Sequence, residues 1–331
     1  CFLCPNMLLY PFLRYDAHMS FLRDIDAFVG SARRPLIVVL GPTASGKTMT
    51  SLDIAEHLSS LDAISSVEIV NADSRQCYAL LDIGTAKILP QDMRGIPHHM
   101  LSVLDPRDPV TIAWYQGRAT QVIDDIHSRG GVPLLVGGSM LYISSIVDGL
   151  IPQSPSNVEM RQRLQAEYDA DSGITLHAKL AERDANAAAA IPRQNAVYLI
   201  RAMEGLLSTG MKKKEREHVR ECPYDLCIIG IGIERALLNA RINDRTRSLL
   251  SSGWIEEVIT LRDAGYRAED PGMQSLGYRE ILTWLRNRGD LSVLQDRIAS
   301  RTRQYAKRQM TWWRGDNRIH WIEPQNVRQL R

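Results

Sequence analysis

A glycine-rich loop holds the residues whose types and spacing are best suited to chemistry. Residues 41–48 read GPTASGKT and fit the pattern G-x-x-x-x-G-K-[ST], directly after the apolar run Leu36–Leu40. Such a loop turns several backbone N–H groups toward one point, at a helix N-terminus that already favours negative charge. Lys47 adds a positive charge, and the Thr48 hydroxyl is placed to hold Mg²⁺. The pattern predicts a phosphate or pyrophosphate site, and the strand before it argues against a turn that binds nothing.

A carboxylate occupies a similar place in the next unit of the chain. Asp73 follows the apolar segment Val67–Asn71, and residues 82–87, DIGTAK, add a glycine turn, a hydroxyl and an amine. A carboxylate there could hold Mg²⁺ or take a proton from an attacking nucleophile. It could instead cap the next helix. The polar neighbours lead us to favour a chemical role for Asp73.

Apolar segments alternate with helical patterns in the first half of the chain. Three of these segments have strand character: Leu36–Leu40, Val67–Asn71 and Val132–Val136. This order predicts an α/β fold like that of P-loop NTPases, with a mostly parallel sheet flanked by helices. Ligands of such sheets collect at the carboxyl ends of the strands, where three polar residues are expected to meet: Thr43, Asp73 and Ser139.

Changes in composition divide the chain into three parts. Helix formers dominate residues 152–222, which we interpret as an all-helical insertion that contacts the substrate. Residues 35–151 and 223–331 then form the P-loop catalytic core. Residues 1–34 are interpreted as an N-terminal extension, and we expect residues 1–18 to be poorly packed.

Bulk composition excludes some classes of protein. The 331 residues are 44% hydrophobic and 24% charged, which is typical of a soluble globular protein. The net charge of +2 is too small to indicate a nucleic-acid partner by itself. Five scattered cysteines suggest reduced thiols and a cytoplasmic setting. No apolar run approaches the roughly 20 residues that span a bilayer, so no membrane partner is expected.

The ordered set of motifs resembles the tRNA dimethylallyltransferases, also called tRNA isopentenyltransferases, of the bacterial MiaA type. Besides the loop at 41–48, the matching stretches are Asp73–Gln76 with Tyr78, Asp82–Lys87, Pro97–His99, Val136–Ser139 with Leu141 and Tyr142, Leu276–Glu280, and Thr302–Trp312. The resemblance extends from about Pro35 to Ile322. Many NTPases share the loop alone, whereas the whole set is specific to this family.

The resemblance implies a prenyl transfer. Members of the family move a dimethylallyl group from dimethylallyl diphosphate to N6 of the adenosine immediately 3′ of the anticodon, in tRNAs that read codons beginning with U, and they release diphosphate. The resemblance also implies Mg²⁺ as cofactor and the tRNA anticodon stem-loop as partner. We expect a monomer in the cytoplasm, although the sequence does not determine the oligomeric state.

The resemblance further assigns roles to single residues. Asp73 matches the family's base, Thr43 the residue that helps position the diphosphate, and Arg245 an arginine that reaches the diphosphate. The diphosphate is expected to be held by Gly41, Pro42, Thr43, Ala44, Ser45, Gly46, Lys47 and Thr48, with Thr48 also the metal ligand. The expected tRNA contacts are Asp73, Ser74, Arg75, Gln76, Ser139, Arg161, Tyr198, Arg201, Gln274, Gly277, Tyr278 and Arg279.

Two features leave part of the RNA contact open. Val197 and Tyr198 stand where the family usually has a Gln-Arg pair, so individual contacts in the insertion are expected to differ. A tail stripe formed by Arg297, Arg301 and Arg308 suits RNA phosphates, but it also suits a solvated helix face or side chains directed at the catalytic pocket.

Other functions fit parts of the pattern. A related adenylate isopentenyltransferase would prenylate a free nucleotide, although such a substrate needs neither the helical insertion nor the full tail. A P-loop kinase or ATPase would use Lys47 for a γ-phosphate and Asp73 for Mg²⁺. A non-enzymatic RNA-binding protein would bind tRNA without forming a prenyl product.

Overall fold

A parallel sheet is the framework of the larger of two compact units. The computed structural model describes residues 18–149, 158–212, 214–215, 222–287 and 289–323. The larger unit is formed by residues up to Val147 and from Pro223 onward, and the smaller unit by Asp148–Cys222. The sequence interpretation had placed the insertion at residues 152–222.

The described strands form one six-stranded sheet. They are β1 (Pro35–Leu40), β2 (Val67–Ala72), β3 (His98–His99), β4 (Val132–Gly137), β5 (Asp225–Ile231) and β6 (Ile319–Ile322). The spatial order is β3-β2-β4-β1-β5-β6, and every neighbouring pair is parallel. The predicted α/β fold with a mostly parallel sheet is therefore confirmed.

The described helices carry most of the remaining chain. They are α1 (His18–Ser31), α2 (Lys47–Ser59), α3 (Ile112–Ser128), α4 (Met140–Val147), α5 (Val158–Asp171), α6 (Ile174–Arg183), α7 (Ala185–Ala190), α8 (Ala196–Thr209), α9 (Arg235–Ser251), α10 (Trp254–Asp263), α11 (Tyr278–Asn287) and α12 (Leu291–Trp313). Carboxylates cap the helices α9 and α12. Glu234 accepts N–H bonds at the start of α9, and Asp290 does so at the start of α12. Within the described ranges, no helix is both long and apolar enough to cross a bilayer.

Strand register brings the ends of three strands level with one another. Gly137, the last residue of β4, pairs with Leu40 at the end of β1 and with Ala72 at the end of β2. A Cβ on Gly137 would lie 2.3 Å from the Ala72 backbone, so only glycine fits at this close approach. The loops after β1, β2 and β4 consequently leave the sheet side by side.

The N-terminal segment departs from the sequence interpretation. Residues 18–34 were assigned to an extension outside the core, but α1 packs onto the sheet unit through Leu22 and Ile25. His57 of α2 also hydrogen-bonds the Asp26 carboxylate at 2.8 Å. The amphipathic pattern of α1 can bury its apolar face only against another element, which explains the packing. The expectation of poor packing for residues 1–18 falls almost entirely outside the described residues, which begin at His18.

The smaller unit is helical and has its own apolar core. Its buried residues include Leu164 of α5, Leu180 of α6 and Leu199 and Met203 of α8. The Asp184 carboxylate caps α7 by accepting a bond from Ala187 N at 3.1 Å. These four helices thus pack on one another around a core of their own.

Candidate active site

The loop at residues 41–48 forms a tight turn between β1 and α2. Gly46 is the N-cap of α2 with φ of 103°, and Ala44 also has a positive φ of 62°. A hydrogen bond from Ser45 N to Pro42 O, 3.3 Å long, closes the turn. The Ser45 hydroxyl is buried and has no hydrogen-bond partner among the described residues. A buried, unsatisfied donor in a loop at a helix N-terminus fits an anionic ligand.

Lys47 lies across this loop. Its ammonium donates a 2.7 Å hydrogen bond to Pro42 O. Burial lowers the pKa of Lys47 to about 8, the nearby Asp73 carboxylate raises it, and the Arg245 guanidinium lowers it further. The three charged groups therefore belong to one electrostatic cluster, although they come from distant parts of the sequence.

Asp73 is held in a turn directly after β2. Its Oδ1 accepts a 2.9 Å bond from Arg75 N, while its own N–H donates to Asn71 Oδ1 at 3.1 Å. Asn71 is buried and also donates to the Asp73 carbonyl at 3.0 Å. Residues 74–77 form a turn, so Asp73 does not cap a following helix. The half-buried carboxylate is thus fixed at the sheet edge next to Lys47.

Arg245 reaches the cluster from α9. Its Nη2 donates to Thr85 O at 3.4 Å, and the Gln76 amide donates to the same carbonyl at 3.2 Å. Burial lowers the pKa of Arg245, and the Asp73 carboxylate acts in the opposite direction. Arg245 therefore supplies a second positive charge, which is half-buried in the structure.

The DIGTAK segment at 82–87 has a structural role in this arrangement. The Lys87 ammonium donates to Tyr78 O at 2.8 Å and to Asp82 Oδ1 at 2.6 Å. The Glu257 carboxylate accepts N–H bonds from Asp82 at 2.9 Å and from Ile83 at 2.7 Å. These contacts shape the loop whose Thr85 carbonyl meets Arg245. Sequence reasoning missed Glu257, which belongs to none of the matched motifs.

Ser139 orders the segment that contains Asp73. Its Oγ accepts a 2.8 Å bond from Ser74 N and donates to Ser74 Oγ at 3.2 Å. Ser139 is 7% exposed, so its hydroxyl is committed inside the protein and is not presented to RNA in this conformation. Ser139 therefore positions Ser74, and its contact with tRNA stays a prediction.

The stretch Gln274–Arg279 is split between surface and core. Gln274 and Arg279 are exposed, as a contact with RNA requires. Tyr278 is 0% exposed, and its hydroxyl donates to Glu257. A Cβ on Gly277 would lie 2.0 Å from Trp254. Tyr278 and Gly277 therefore pack against the core around Trp254, and their contacts with tRNA stay predictions.

Arg75 and the predicted RNA contacts in the smaller unit lie at the surface, whereas Ser74 and Gln76 are half-buried. Arg75 is exposed and donates to Pro271 O at 3.2 Å. In the smaller unit, Arg161 pairs with Glu204 at 2.9 Å, Tyr198 is 58% exposed, and Arg201 is exposed on α8.

The tail stripe on α12 is divided in the structure. Arg301 pairs with the buried Glu280 at 3.1 Å, whereas Arg297 and Arg308 are exposed. Arg297 and Arg308 therefore fit either a solvated face or a contact with RNA phosphates, whereas Arg301 is held by an ion pair within the protein.

Thr48 is the candidate metal ligand. It is exposed in the first turn of α2, beside Lys47. Nowhere in the described part of the chain do three or more His, Cys, Asp or Glu side chains form a group that could hold a metal ion by itself. An Mg²⁺ ion that takes one protein hydroxyl and otherwise diphosphate oxygens and water fits this arrangement, because Mg²⁺ keeps several such ligands.

The sheet order, the loop between β1 and α2 and the charged cluster at the strand ends define an α/β protein of the P-loop type. The IPP transferase family model matches residues 76–316. The chain belongs to this IPP transferase family.

Relatives match nearly the whole chain. A tRNA dimethylallyltransferase of Geobacter sulfurreducens is 37% identical over 295 residues, covering 88% of this chain and 93% of the relative. One of Bacillus subtilis is 36% identical, with coverage of 89% and 92%. The structure of a tRNA isopentenylpyrophosphate transferase from Bacillus halodurans is 34% identical, with a TM-score of 0.66 and coverage of 90% and 94%. A eukaryotic dimethylallyltransferase acting on tRNA, 24% identical with a TM-score of 0.75 and coverage of 88% and 74%, shares the fold.

Proposed function

We propose that the chain transfers a dimethylallyl group from dimethylallyl diphosphate to N6 of the adenosine immediately 3′ of the anticodon in tRNA. The convergence of Lys47, Asp73 and Arg245 at one sheet edge carries this proposal. A phosphate loop and two cations suit a diphosphate leaving group, while a carboxylate beside them suits a nucleophile that must lose a proton. The relatives from Geobacter sulfurreducens and Bacillus subtilis, both named tRNA dimethylallyltransferase, support the same reaction.

The chemistry follows from the weak nucleophilicity of an aromatic amine. The N6 lone pair of adenine is delocalised into the ring, so a base is needed as the new bond forms. The bond between N6 and C1 of the dimethylallyl group forms while the C1–O bond breaks, and its electron pair leaves with the diphosphate. Asp73 accepts the proton from N6, and its turn with Arg75 N keeps the carboxylate in place.

The leaving diphosphate is stabilised at the loop. Lys47 and Arg245 neutralise the developing negative charge, and backbone N–H groups at the start of α2 point toward the same region. Thr48 would hold Mg²⁺, which when bound supplies further neutralisation of the diphosphate oxygens. Partial burial of the cations strengthens these interactions, because less water competes for them.

The proposal extends to the RNA partner, the location of the protein and its oligomeric state. The partner is the tRNA anticodon stem-loop, contacted through exposed groups such as Arg75, Gln274, Arg279 and Tyr198. Base-modifying enzymes commonly extrude their target, so the adenosine is expected to flip into the site. A cytoplasmic location follows from the tRNA substrate, and the buried thiol of Cys77 suits a reducing compartment. The expectation of a monomer stays a prediction, which analytical ultracentrifugation tests.

A labelling experiment separates the candidate functions. The protein is incubated with labelled dimethylallyl diphosphate and Mg²⁺ plus either unmodified tRNA or AMP, and in parallel with ATP alone. Transfer to tRNA that maps to the adenosine 3′ of the anticodon supports the proposal. Transfer to AMP instead would support an adenylate isopentenyltransferase, and ATP turnover without prenylation would support a kinase or ATPase. Salt-sensitive tRNA binding with no product would support an RNA-binding role alone.

A further inference from the structure

A buried glutamine connects the C-terminal helix to the phosphate loop. Gln309 lies on α12 and is 1% exposed. Its Oε1 accepts a 3.0 Å hydrogen bond from Thr43 N, and its Nε2 donates a 2.7 Å bond to Gly138 O. One side-chain amide therefore bridges the loop after β1 and the loop after β4.

Two further features surround the same carbonyl. Tyr305, one turn earlier on α12, donates its hydroxyl to Gly138 O at 3.4 Å. Burial raises the pKa of Tyr305 from its ordinary value of 10.0 to about 12, so the phenol remains a donor in alkaline solution as well as at neutral pH. A Cβ on Gly138 would lie 2.3 Å from Gln309 Nε2 and 3.2 Å from Gly41 O. No side chain therefore fits at position 138 between α12 and the loop after β1.

The bridge also extends toward the candidate base. Ser139 follows Gly138 directly, and its Oγ accepts the 2.8 Å bond from Ser74 N. Ser74 is the neighbour of Asp73. A continuous series of contacts thus runs from the Thr43 backbone through Gln309 and residues 138–139 to the turn that holds Asp73.

We infer that Gln309 is a positioning residue for prenyl transfer, which sets the spacing between the phosphate loop and the segment that carries Asp73. This inference rests on the proposed function. Gln309 acts through the Thr43 and Gly138 backbones, and it has no contact with reacting atoms in this role. Transfer depends on the distance between the diphosphate carbon and the amine, so a small shift of one loop against the other reduces the rate.

The amide chemistry of the side chain is what the bridge requires. A glutamine offers one acceptor and two donors, so it can satisfy an N–H group and a carbonyl at once. Leucine at this position fills similar space, but it leaves Thr43 N unpaired and leaves Gly138 O with only the longer bond from the Tyr305 hydroxyl. A carboxylate accepts from Thr43 N but cannot donate to Gly138 O, whereas a protonated carboxyl group can do both.

The first test compares Gln309→Leu with Gln304→Leu. Gln304 is exposed on the same helix, so it provides the same substitution without the bridge. Steady-state rates of tRNA prenylation and the melting temperature are measured for both variants. We expect Gln309→Leu to lower kcat about 10²-fold at temperatures where it is fully folded, as a misplacement of about 1 Å can do. The kcat of Gln304→Leu should stay within about twofold of that of the unaltered chain, because substitutions at exposed positions rarely disturb the fold.

The second test uses Gln309→Glu and its dependence on pH. Protonation of the new carboxyl group restores both hydrogen bonds, so the activity of this variant relative to the unaltered chain should rise as the pH falls. The relative activity of Gln309→Leu should not change over the same range. If Gln309→Glu and Gln309→Leu lose the same activity and have the same pH profile, the inference is overturned and Gln309 has only a packing role. A kcat of Gln309→Leu within threefold of the unaltered value would overturn it as well.

A third variant and a binding measurement cover the remaining outcomes. If Gln309→Leu fails to fold, Tyr305→Phe removes one donor to Gly138 O without creating a cavity. A several-fold lower kcat would then support the inference, and an unchanged kcat would overturn it.

If the unaltered chain forms no prenylated tRNA, the proposed function fails. The bridge is then judged by calorimetric titration with pyrophosphate: at least tenfold weaker binding by a folded Gln309 variant supports it, and equal binding overturns it.

Discussion

The Asp73 carboxylate raises the pKa of Lys47, although the two residues follow strands that are not neighbours in the sheet. Asp73 follows β2 and Lys47 follows the loop after β1, with β4 between the two strands. Burial and Arg245 act in the opposite direction and leave the pKa of Lys47 at about 8. The candidate base and the candidate phosphate-binding cation thus lie close enough for the Asp73 carboxylate to act on the ammonium of Lys47.

Asp73→Asn tests the base directly. The new amide keeps the oxygen that accepts the bond from Arg75 N, so the turn is retained while the basic carboxylate is lost. We expect kcat to fall on the order of 10²–10⁴-fold, with little change in tRNA affinity. The exposed residue Asp62 provides the control Asp62→Asn. Full activity of Asp73→Asn in single-turnover assays would exclude Asp73 as the base.

The pKa of Lys47 predicts how diphosphate binding depends on pH. Because the folded-state pKa is lowered to about 8, the ammonium is charged below this pH and loses its proton as the pH rises through it. The affinity for dimethylallyl diphosphate should therefore fall above about pH 8, approaching tenfold per pH unit. Calorimetric titration between about pH 7 and about pH 9.5 measures this. Lys47→Arg, which stays protonated, should bind with little change over the range, and an equally flat profile for the unaltered chain would contradict the prediction.

Arg245→Ala and Arg247→Ala form a matched pair on α9. Arg245 is half-buried beside the cluster, whereas Arg247 is exposed and pairs only with Asp244 at 3.1 Å in the contacts described. Loss of the Arg245 guanidinium should lower kcat/KM for dimethylallyl diphosphate on the order of 10²-fold, since it removes a charge that stabilises the leaving group. Arg247→Ala should leave kcat/KM nearly unchanged. Similar effects of the two substitutions would show that Arg245 has no special role.

Two tyrosines that were both expected to contact tRNA should behave differently. Tyr198 is 58% exposed and Tyr278 is 0% exposed. We expect Tyr198→Ala to weaken tRNA binding by about 1–3 kcal/mol if its ring stacks on a base, whereas the adjacent exposed Val197→Ala should not. Tyr278→Phe should leave tRNA affinity unchanged and lower the free energy of unfolding by about 1 kcal/mol, because only the bond to Glu257 is lost. Filter binding and urea unfolding measure these effects, and a loss of tRNA affinity in Tyr278→Phe would contradict its assignment to the core.

The carboxylate of Glu68 should make the free energy of unfolding depend on pH in the acid range. Its buried carboxylate accepts a 2.7 Å bond from Arg129 and a 2.7 Å bond from His99. The Arg129 hydrogen bond, opposed by burial and aided by His99, lowers the pKa of Glu68 to about 2. A lowered carboxyl pKa stabilises the fold above the ordinary value of 4.5, and this contribution is lost as the pH falls toward about 2. Glu68→Gln should therefore cost about 1–3 kcal/mol in urea unfolding at neutral pH, and the difference from the unaltered chain should shrink below about pH 4.5. A difference that is constant with pH would exclude this origin.

Local sequence patterns were enough to determine the phosphate loop, the strands β1, β2 and β4, and the position of Asp73 after β2. The strand, the glycine turn and the helix after it lie within about 20 residues of one another. Their conformations follow from backbone sterics and from the burial of alternating or continuous apolar side chains. Parallel strands also place their following loops at one edge, so the meeting of Thr43, Asp73 and Ser139 could be expected.

Tertiary structure decided what no local pattern could specify. Gln309 meets Thr43 across 266 residues of sequence, and Glu257 meets Asp82 across 175. The burial of Tyr278 and the packing of α1 likewise depend on which surfaces the fold brings together. Such contacts form because buried polar groups must find hydrogen-bond partners and apolar faces must be covered, wherever in the chain the partner lies. The sequence alone determined which groups this protein has for chemistry, and the packing of distant elements decided which of them face the site and which hold it in place.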